Sequence, residues 1–110
     1  SAVSTPRIED AHGAITVCLD TLLHNLKILA EGPDQTSELY GKITSKCLTA
    51  IYILQTRLDF EQGGVISDNL FKLYEYVKYQ VLATSKKEAA NLEQAIEVVT
   101  EITTTWRSIS

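Results

Sequence analysis

Glu9 and His12 stand three residues apart, the spacing that carboxylate-bridged di-iron bundles use for a pair of metal ligands. Such a site requires two pairs of this kind and two further glutamates in the core, whereas this sequence supplies one pair near its start. The sequence also has no Cys/His cluster suited to zinc, no glycine-rich loop for phosphate and no set of residues that could activate a serine or cysteine. We therefore expect no metal, no cofactor and no enzymatic activity.

His24 is the other candidate for chemistry, since it is followed by Asn25, Leu26 and Lys27. This order is similar to the helical His-x-Leu-Lys-Gly of four-helix phosphotransfer domains, in which the histidine accepts a phosphoryl group. Ile28 replaces their glycine, and its branched side chain one turn after the histidine would crowd the imidazole. We favour a solvated surface histidine and keep phosphotransfer through His24 as the alternative.

The two cysteines, Cys18 and Cys47, could in principle form a disulfide. Both fall at core positions of predicted helices, where free cysteine behaves as a small buried hydrophobe. Free thiols in a reducing compartment are therefore the favoured interpretation.

Composition and charge narrow the class of protein. The 110 residues are 45% hydrophobic with a net charge of −4, and the scarcity of proline and glycine favours long helices. The ten basic residues are scattered along the chain, which argues against nucleic-acid binding. The longest uncharged apolar run, Cys47 to Thr56, is too short to span a membrane. The chain starts at Ser1 with no signal-peptide pattern and contains no Met, so we expect either that the initiator was removed or that the start was trimmed, and we expect a cytoplasmic protein.

Apolar residues recur at helical spacing in four stretches. Gly32–Pro33 ends the first stretch, and Gly63–Gly64 separates the second from the third. Short connections make neighbouring helices antiparallel, so we predict one all-α domain over residues 1–110, an up-down-up-down four-helix bundle. The predicted helices cover residues 6–30, 35–59, 65–83 and 86–108. The predicted core positions of the third helix are Ile66, Leu70, Leu73, Tyr74, Val77 and Val81.

Capping residues predict where the helices begin. Either Thr5–Pro6 or Asp10 begins the first helix, and Asp34 caps the second. Ser85, with Glu88 three residues later, has the spacing of a capping box for the fourth.

Several large apolar side chains lie off the core stripes, because successive helical residues are about 100° apart. A bundle with apolar seams on its outside can receive the amphipathic helix of a partner. We therefore predict a partner-binding surface formed by six side chains of the second and third helices: Leu48, Tyr52, Ile53, Phe71, Tyr79 and Leu82.

Leu58 to Val77 reads LDFEQGGVISDNLFKLYEYV. This segment closely resembles the signature of the FliS family of flagellin-specific export chaperones, which is roughly Leu-Asp-x-Glu-x-Gly-Gly followed by Asn-Leu-x-x-Leu-Tyr-x-Tyr. Asp20 and Trp106 match further family positions near the two ends of the chain. We expect most of the signature to be structural, with Asp59 accepting hydrogen bonds at a helix start. The matching residues are Leu58, Asp59, Glu61, Gly63, Gly64, Asn69, Leu70, Leu73, Tyr74 and Tyr76.

The resemblance implies a cytosolic bundle that binds the disordered C-terminal segment of flagellin. It further implies that the protein prevents premature polymerisation and presents flagellin to the flagellar type III export gate, a second partner. Catalysis, metal and nucleotide are not implied. The predicted outer surface would then hold the flagellin segment.

The sequence departs from the family pattern in three places. Ser1 to Glu9 contains no tyrosine, whereas family members have an N-terminal segment with one. The family's Leu-Tyr-Asp-Gly is Cys18 to Thr21 here, and Val77 stands where methionine is common. The chain therefore resembles a divergent or trimmed member, and an interaction module with another partner is a further alternative.

Overall fold

Four helices make up the computed structural model, which describes residues 8–86 and 88–109, with side chains from residue 11 onward. In chain order they are α1 (Ile8–Ala30), α2 (Glu38–Thr56), α3 (Phe60–Ala83) and α4 (Leu92–Ser108). Each helix packs against its neighbours in chain order, and α4 also packs against α1. The predicted all-α four-helix bundle is thereby confirmed, and the single-domain boundary at 1–110 stays a prediction.

Side-chain hydrogen bonds between α2 and α3 show that these helices are antiparallel. At one end of the pair, the hydroxyl oxygens of Tyr40 and Thr84 are 2.6 Å apart. At the other end, Gln55 Nε2 donates to Glu75 Oε2 at 2.8 Å. The start of α2 therefore lies beside the end of α3.

Two hydrogen bonds link α3 to α4 in the same antiparallel sense. Tyr76 donates from its hydroxyl to Gln94 Oε1 at 2.5 Å. The backbone N–H of Asn91 donates to Gln80 Oε1 at 2.7 Å, which gives the buried Gln80 side chain a partner. Both bonds lie where α3 ends and α4 begins.

The core contains apolar residues from all four helices. α1 contributes Leu19, Leu22, Leu26 and Leu29, all of which are buried. The other helices contribute Tyr40, Ile43, Cys47, Ala50, Ile51, Leu54, Tyr74, Val77, Val81, Ala95 and Val99.

By length and composition alone, Ala11–Ala30 is apolar enough to cross a membrane. This stretch contains two charged residues, Asp20 and Lys27, so it is not an uncharged run like Cys47 to Thr56. It is nevertheless longer and apolar on average. Its large apolar residues form the core stripe of α1, and the core helix of a globular protein passes the same compositional test.

Three predicted helix starts, those of α2, α3 and α4, differ from the structure. Ser37, not Asp34, caps α2, because Ser37 Oγ accepts from Tyr40 N at 3.1 Å. The Asp34 carboxylate is used in the preceding turn instead, where it accepts from the N–H of Thr36 at 2.9 Å. The helix therefore begins three residues after the predicted position 35. The predicted start at Thr5–Pro6 lies outside the described residues, and the side chain of Asp10 is not described.

The fourth helix begins at Leu92 rather than at residue 86. Asn91 is its cap, since Asn91 Oδ1 accepts from Gln94 N at 3.0 Å. The predicted capping box fails because Ser85 belongs to the turn that ends α3, where its hydroxyl donates to Leu82 O at 2.9 Å.

The third helix begins at Phe60, five residues before the predicted start, because Asp59 caps it. Asp59 Oδ1 accepts from Glu61 N at 3.1 Å and from Gln62 N at 3.0 Å, which confirms the expected role of this carboxylate. The preceding helix accordingly ends at Thr56 rather than at 59.

The Gly-Gly pair bends α3 instead of ending α2. Gly64 adopts φ 50° and ψ −121°, a conformation that side-chain-bearing residues rarely take. Gly63 is needed for space, because a Cβ there would lie 1.9 Å from Ser67 Oγ. That hydroxyl crosses the bend and donates to Asp59 O at 2.9 Å. The bend sets the direction in which α3 leaves the α2–α3 turn.

Candidate functional site

An apolar groove of about 600 Å³ lies between α3 and α4, at the end of the bundle where α1 and α3 begin and α2 and α4 end. One wall comes from α3, the other from α4 and its C-cap, and the floor from α1 and the end of α2. Four of its lining residues are polar: Arg57, Asp59, Glu101 and Thr105. The apolar lining consists of Ile66, Leu70, Leu73 and Tyr74 on one wall, Val98, Ile102, Trp106 and Ile109 on the other, and Ile15, Leu19, Leu54 and Leu58 on the floor.

The α3 wall corrects two core predictions. Ile66 is 70% exposed and Leu73 is 38% exposed, although their spacing from Tyr74 placed both in the predicted core. The apolar stripe of α3 is wider at this end than the surface that the other helices cover, because α4 does not close over it. These apolar side chains are therefore in contact with water, and burying them against a partner would be favourable.

Trp106 fixes the end of α4 against α1. Its indole Nε1 donates to Thr16 Oγ1 at 3.0 Å and to His12 O at 3.2 Å. The imidazole of His12 stacks on the indole with ring centroids 4.3 Å apart, and His12 Nε2 lies 3.1 Å from Trp106 O. Since a carbonyl oxygen only accepts, His12 Nε2 is the donor. His12 therefore has a structural role in positioning a groove residue.

A second contact holds the same turn of α4. Arg107 Nη2 donates to Asp20 Oδ2 at 2.5 Å. Asp20 and Trp106, the two family-matched positions outside the signature, are thus both used where α1 meets the end of α4. Neither role was evident from the sequence, since Asp20 and Arg107 are 87 positions apart along the chain and His12 and Trp106 are 94 apart.

Five of the six residues predicted to bind a partner follow one seam between α2 and α3. Leu48 and Tyr52 lie on the face of α2 that carries Gln55, because spacings of three, four and seven residues share a helix face. Gln55 contacts α3 through Glu75 and, at 3.4 Å, through Phe71 O. Leu82 lies on the same face of α3 as Phe71, and Tyr79 lies at its outer edge. The seam therefore contains Leu48, Tyr52, Phe71, Tyr79 and Leu82.

Exposure differs along this α2–α3 seam. Tyr52 is 68% exposed, and Tyr79 and Phe71 are also exposed. Leu48 and Leu82 are partly buried. Ile53, the sixth predicted residue, is partly buried on the opposite flank of α2, so the structure does not bring it to the seam. A binding role for these six residues remains a prediction.

Half of the ten signature residues line the groove. Leu58, Asp59, Leu70, Leu73 and Tyr74 line the groove, and Glu61 and Asn69 are exposed. The groove could not be recognised from the sequence, because Ile66, Leu70, Leu73, Ile102 and Trp106 have the spacing of ordinary core residues. Periodicity shows that a helix face is apolar without showing whether a neighbour covers it.

The chemistry-bearing residues are dispersed in the structure. His24 is exposed, and no group of three or more His, Cys, Asp and Glu residues within the described ranges could hold a metal ion. Cys18 and Cys47 are free thiols, as predicted. Burial raises the pKa of Cys47 to about 12, so this thiol stays protonated at neutral pH and is a poor nucleophile.

Comparisons with known proteins identify the same family that the signature resembles. The sequence model of a family described as "Flagellar protein FliS" matches residues 4–110. A flagellar secretion chaperone FliS from Vibrio cholerae serotype O1 (strain ATCC 39315 / El Tor Inaba N16961) is 34% identical over 70 residues. That alignment covers 63% of this chain and 52% of the relative, so it spans about half of the relative's length. No solved structure matches the chain significantly.

Proposed function

Because this chain belongs to the FliS family, we propose that it is a non-enzymatic chaperone that binds the disordered C-terminal segment of flagellin in the α3–α4 groove. Binding would cover the segment through which flagellin subunits polymerise and keep the subunit available for export. We place this action in the cytoplasm, before flagellin reaches the flagellar type III export gate. The proposal involves no cofactor, metal or nucleic acid.

The observation that carries the proposal is the open groove itself. Its volume of about 600 Å³ is lined almost entirely by apolar side chains, and Ile66 and Leu73 are exposed along one wall. A partner that buries this groove would stabilise the complex by roughly 25 cal/mol per Å² of apolar surface removed from water. Contiguous apolar surface of this kind is typical of protein interaction sites.

The walls of the groove favour a helical ligand. Both walls are helices, whose backbone groups are already hydrogen-bonded to one another. An incoming chain therefore finds side chains but no backbone partners, and must satisfy its own N–H and C=O groups. A disordered segment does this by folding into an amphipathic helix as it docks.

The α2–α3 seam provides a second surface for the same segment. Disordered chains that fold on binding can cover large areas, and Tyr52 and Phe71 give the seam exposed aromatic contacts. We propose that flagellin extends from the groove over this seam.

The test is titration of the chain with a flagellin C-terminal peptide, followed by calorimetry and far-ultraviolet circular dichroism. We expect a complex of one peptide per chain and an increase in helix content beyond the sum of the free components. Absence of binding would refute the flagellin proposal. Phosphotransfer makes a separate prediction, labelling of His24 by a phosphorylated response regulator, and we expect no label.

A further inference from the structure

We propose that the groove selects an amphipathic helix with basic side chains along the flank that lies beside α4. This inference rests on the proposed chaperone function and names the chemistry of the segment that the groove accepts. It follows from the charge of the two rims. The rim formed by the α2–α3 turn carries one residue of each sign, Arg57 and Asp59, whereas Glu101 is the charged residue of the α4 rim.

The acidic rim extends beyond Glu101. Glu97 and Glu101 are exposed and four residues apart on α4, which places them along one face, and Glu93 continues that face outside the rim because it lines neither the groove nor the cavity beside it. A shallow cavity of about 430 Å³ lies on this side of α4, and Glu97 lines it. Glu101 and Thr105 line both this cavity and the groove, so the two surfaces are continuous.

These carboxylates have no basic partner among the described residues. The ion pairs in the described ranges are Lys78 with Glu75 and Arg107 with Asp20, neither of which involves the α4 rim. The sequence contains no lysine or arginine from Glu88 to Trp106. The negative charge of the rim is therefore available to a ligand in the groove.

The geometry limits the length of the selected helix. The α3 wall runs from Ile66 to Tyr74, which at 1.5 Å per residue is about 12 Å, or two to three helical turns. Basic residues four apart on such a helix would match the spacing of Glu97 and Glu101. Complementary charge at a rim mainly raises the association rate and fixes which side of the ligand faces which wall.

Two synthetic amphipathic peptides test the inference directly. They share one Leu/Ile face and differ only along one flank, which carries lysine in one peptide and glutamate in the other. We expect the full chain to bind the lysine peptide at least about fivefold more tightly at low salt. The difference should shrink as ionic strength rises, because salt screens exposed charges.

Glu101→Lys and Glu93→Lys form a matched pair for the same comparison of peptides, made at physiological ionic strength. Both reverse one exposed charge on the same face of α4, but Glu101 lines the groove and Glu93 lies two turns away, about 12 Å along the axis. This distance exceeds the Debye length of ~8 Å at physiological salt. We expect Glu101→Lys to abolish or reverse the preference for lysine, and Glu93→Lys to retain most of it.

The inference and the proposed function fail separately. Equal binding of the two peptides, or equal effects of the two variants, would overturn the charge selection while leaving flagellin binding intact. Failure of the flagellin peptide to bind the unmodified chain would refute the proposed function. Circular dichroism of each variant verifies that the helices are retained, so that a loss of binding is attributable to charge.

Discussion

The Oγ of Ser67 lies 1.9 Å from the place that a Cβ on Gly63 would occupy. The same Ser67 hydroxyl donates to Asp59 O across the bend in α3, so the absence of a side chain at Gly63 leaves room for this hydrogen bond. Gly63 is therefore explained by close approach, and Gly64 by its positive φ. The two glycines of the signature are required for different physical reasons.

Gly63→Ala and Gly64→Ala should both destabilise the bundle, and adding Ser67→Ala to each should show that the two costs have different causes. We expect Gly63→Ala to cost about 1–2 kcal/mol, because the methyl group displaces Ser67 Oγ from its hydrogen bond. Part of that cost should disappear in the Ser67→Ala background. Gly64→Ala should cost about 1–3 kcal/mol through backbone strain, with no dependence on residue 67. Urea unfolding of the single and double variants measures the coupling, and equal costs in both backgrounds would contradict the steric explanation.

Ile66→Asp and Leu73→Asp should weaken binding of the flagellin peptide at least about tenfold. Each places a carboxylate against apolar ligand surface, where it would lose its hydration without a partner. Ile66 is 70% exposed, so we expect its replacement to have a small effect on stability, whereas Leu73 is 38% exposed and its replacement should cost more. Val17→Asp is the matched control, because Val17 is 64% exposed on α1 and does not line the groove. Calorimetry compares the three variants, and unchanged affinity in both groove variants would place the site elsewhere.

Tyr52→Asp tests the α2–α3 seam independently of the groove. Tyr52 is exposed, so the bundle should remain folded while contacts along the seam are lost. If flagellin extends over the seam, the affinity for a long flagellin segment should fall. A short peptide that fills only the groove should bind as before. Equal affinity of the long segment for Tyr52→Asp and the unmodified chain would remove the seam from the proposal.

Trp106, the single tryptophan, should report occupancy of the groove without a label. Its indole lines the groove and is partly buried, so a bound helix should remove it further from water. We expect a blue shift of its emission when a tryptophan-free flagellin peptide binds. Tyr52→Asp should preserve the shift for the short peptide. Binding detected by calorimetry with no change in the emission spectrum would mean that the peptide docks away from Trp106.

The stability of the bundle should fall at high pH. Burial raises the pKa of Cys47 from 9.0 to about 12, and burial together with the neighbouring Cys18 raises that of Tyr74 from 10.0 to about 12. Above pH 9 the unfolded thiol releases its proton while the folded thiol keeps it. The free energy of unfolding therefore decreases as the pH rises from about 9 toward 12, by up to ~1.4 kcal/mol per pH unit for each group.

Urea unfolding of the native chain and of Cys47→Ala at pH 7 and pH 10 measures this dependence. The variant should lose less stability between the two pH values, although it is less stable at both. An identical decrease in the two proteins would exclude Cys47 as a source. In a Cys18→Ala background, the Cys47 thiol should also react with Ellman's reagent only after unfolding.

The helices were predictable from the sequence, whereas the groove was not. Periodic apolar residues indicate four helices whatever their neighbours are, and Gly32–Pro33 marks the end of the first. Capping was predicted correctly at Asp59, where the signature restricted the choice. It was wrong at Asp34 and Ser85, because several nearby polar residues could serve equally well.

The groove depends on distances between helices, which no local pattern contains. Ile66 and Leu73 have the spacing of core residues, and only the position of α4 leaves them open. Their exposure follows from the bend in α3 and from the contacts that hold Trp106 against α1. Those contacts join residues from opposite ends of the chain, so reading one helix at a time could not identify them.

The hydrogen bonds Tyr76–Gln94 and Asn91–Gln80 join α3 to α4 at the end of the pair where α3 ends and α4 begins. None of these four residues lines the groove, which lies toward the other end of the pair, beside Ile66 and Ile109. A bound segment can therefore fill the groove while both bonds stay in place, and docking need not unclasp the bundle.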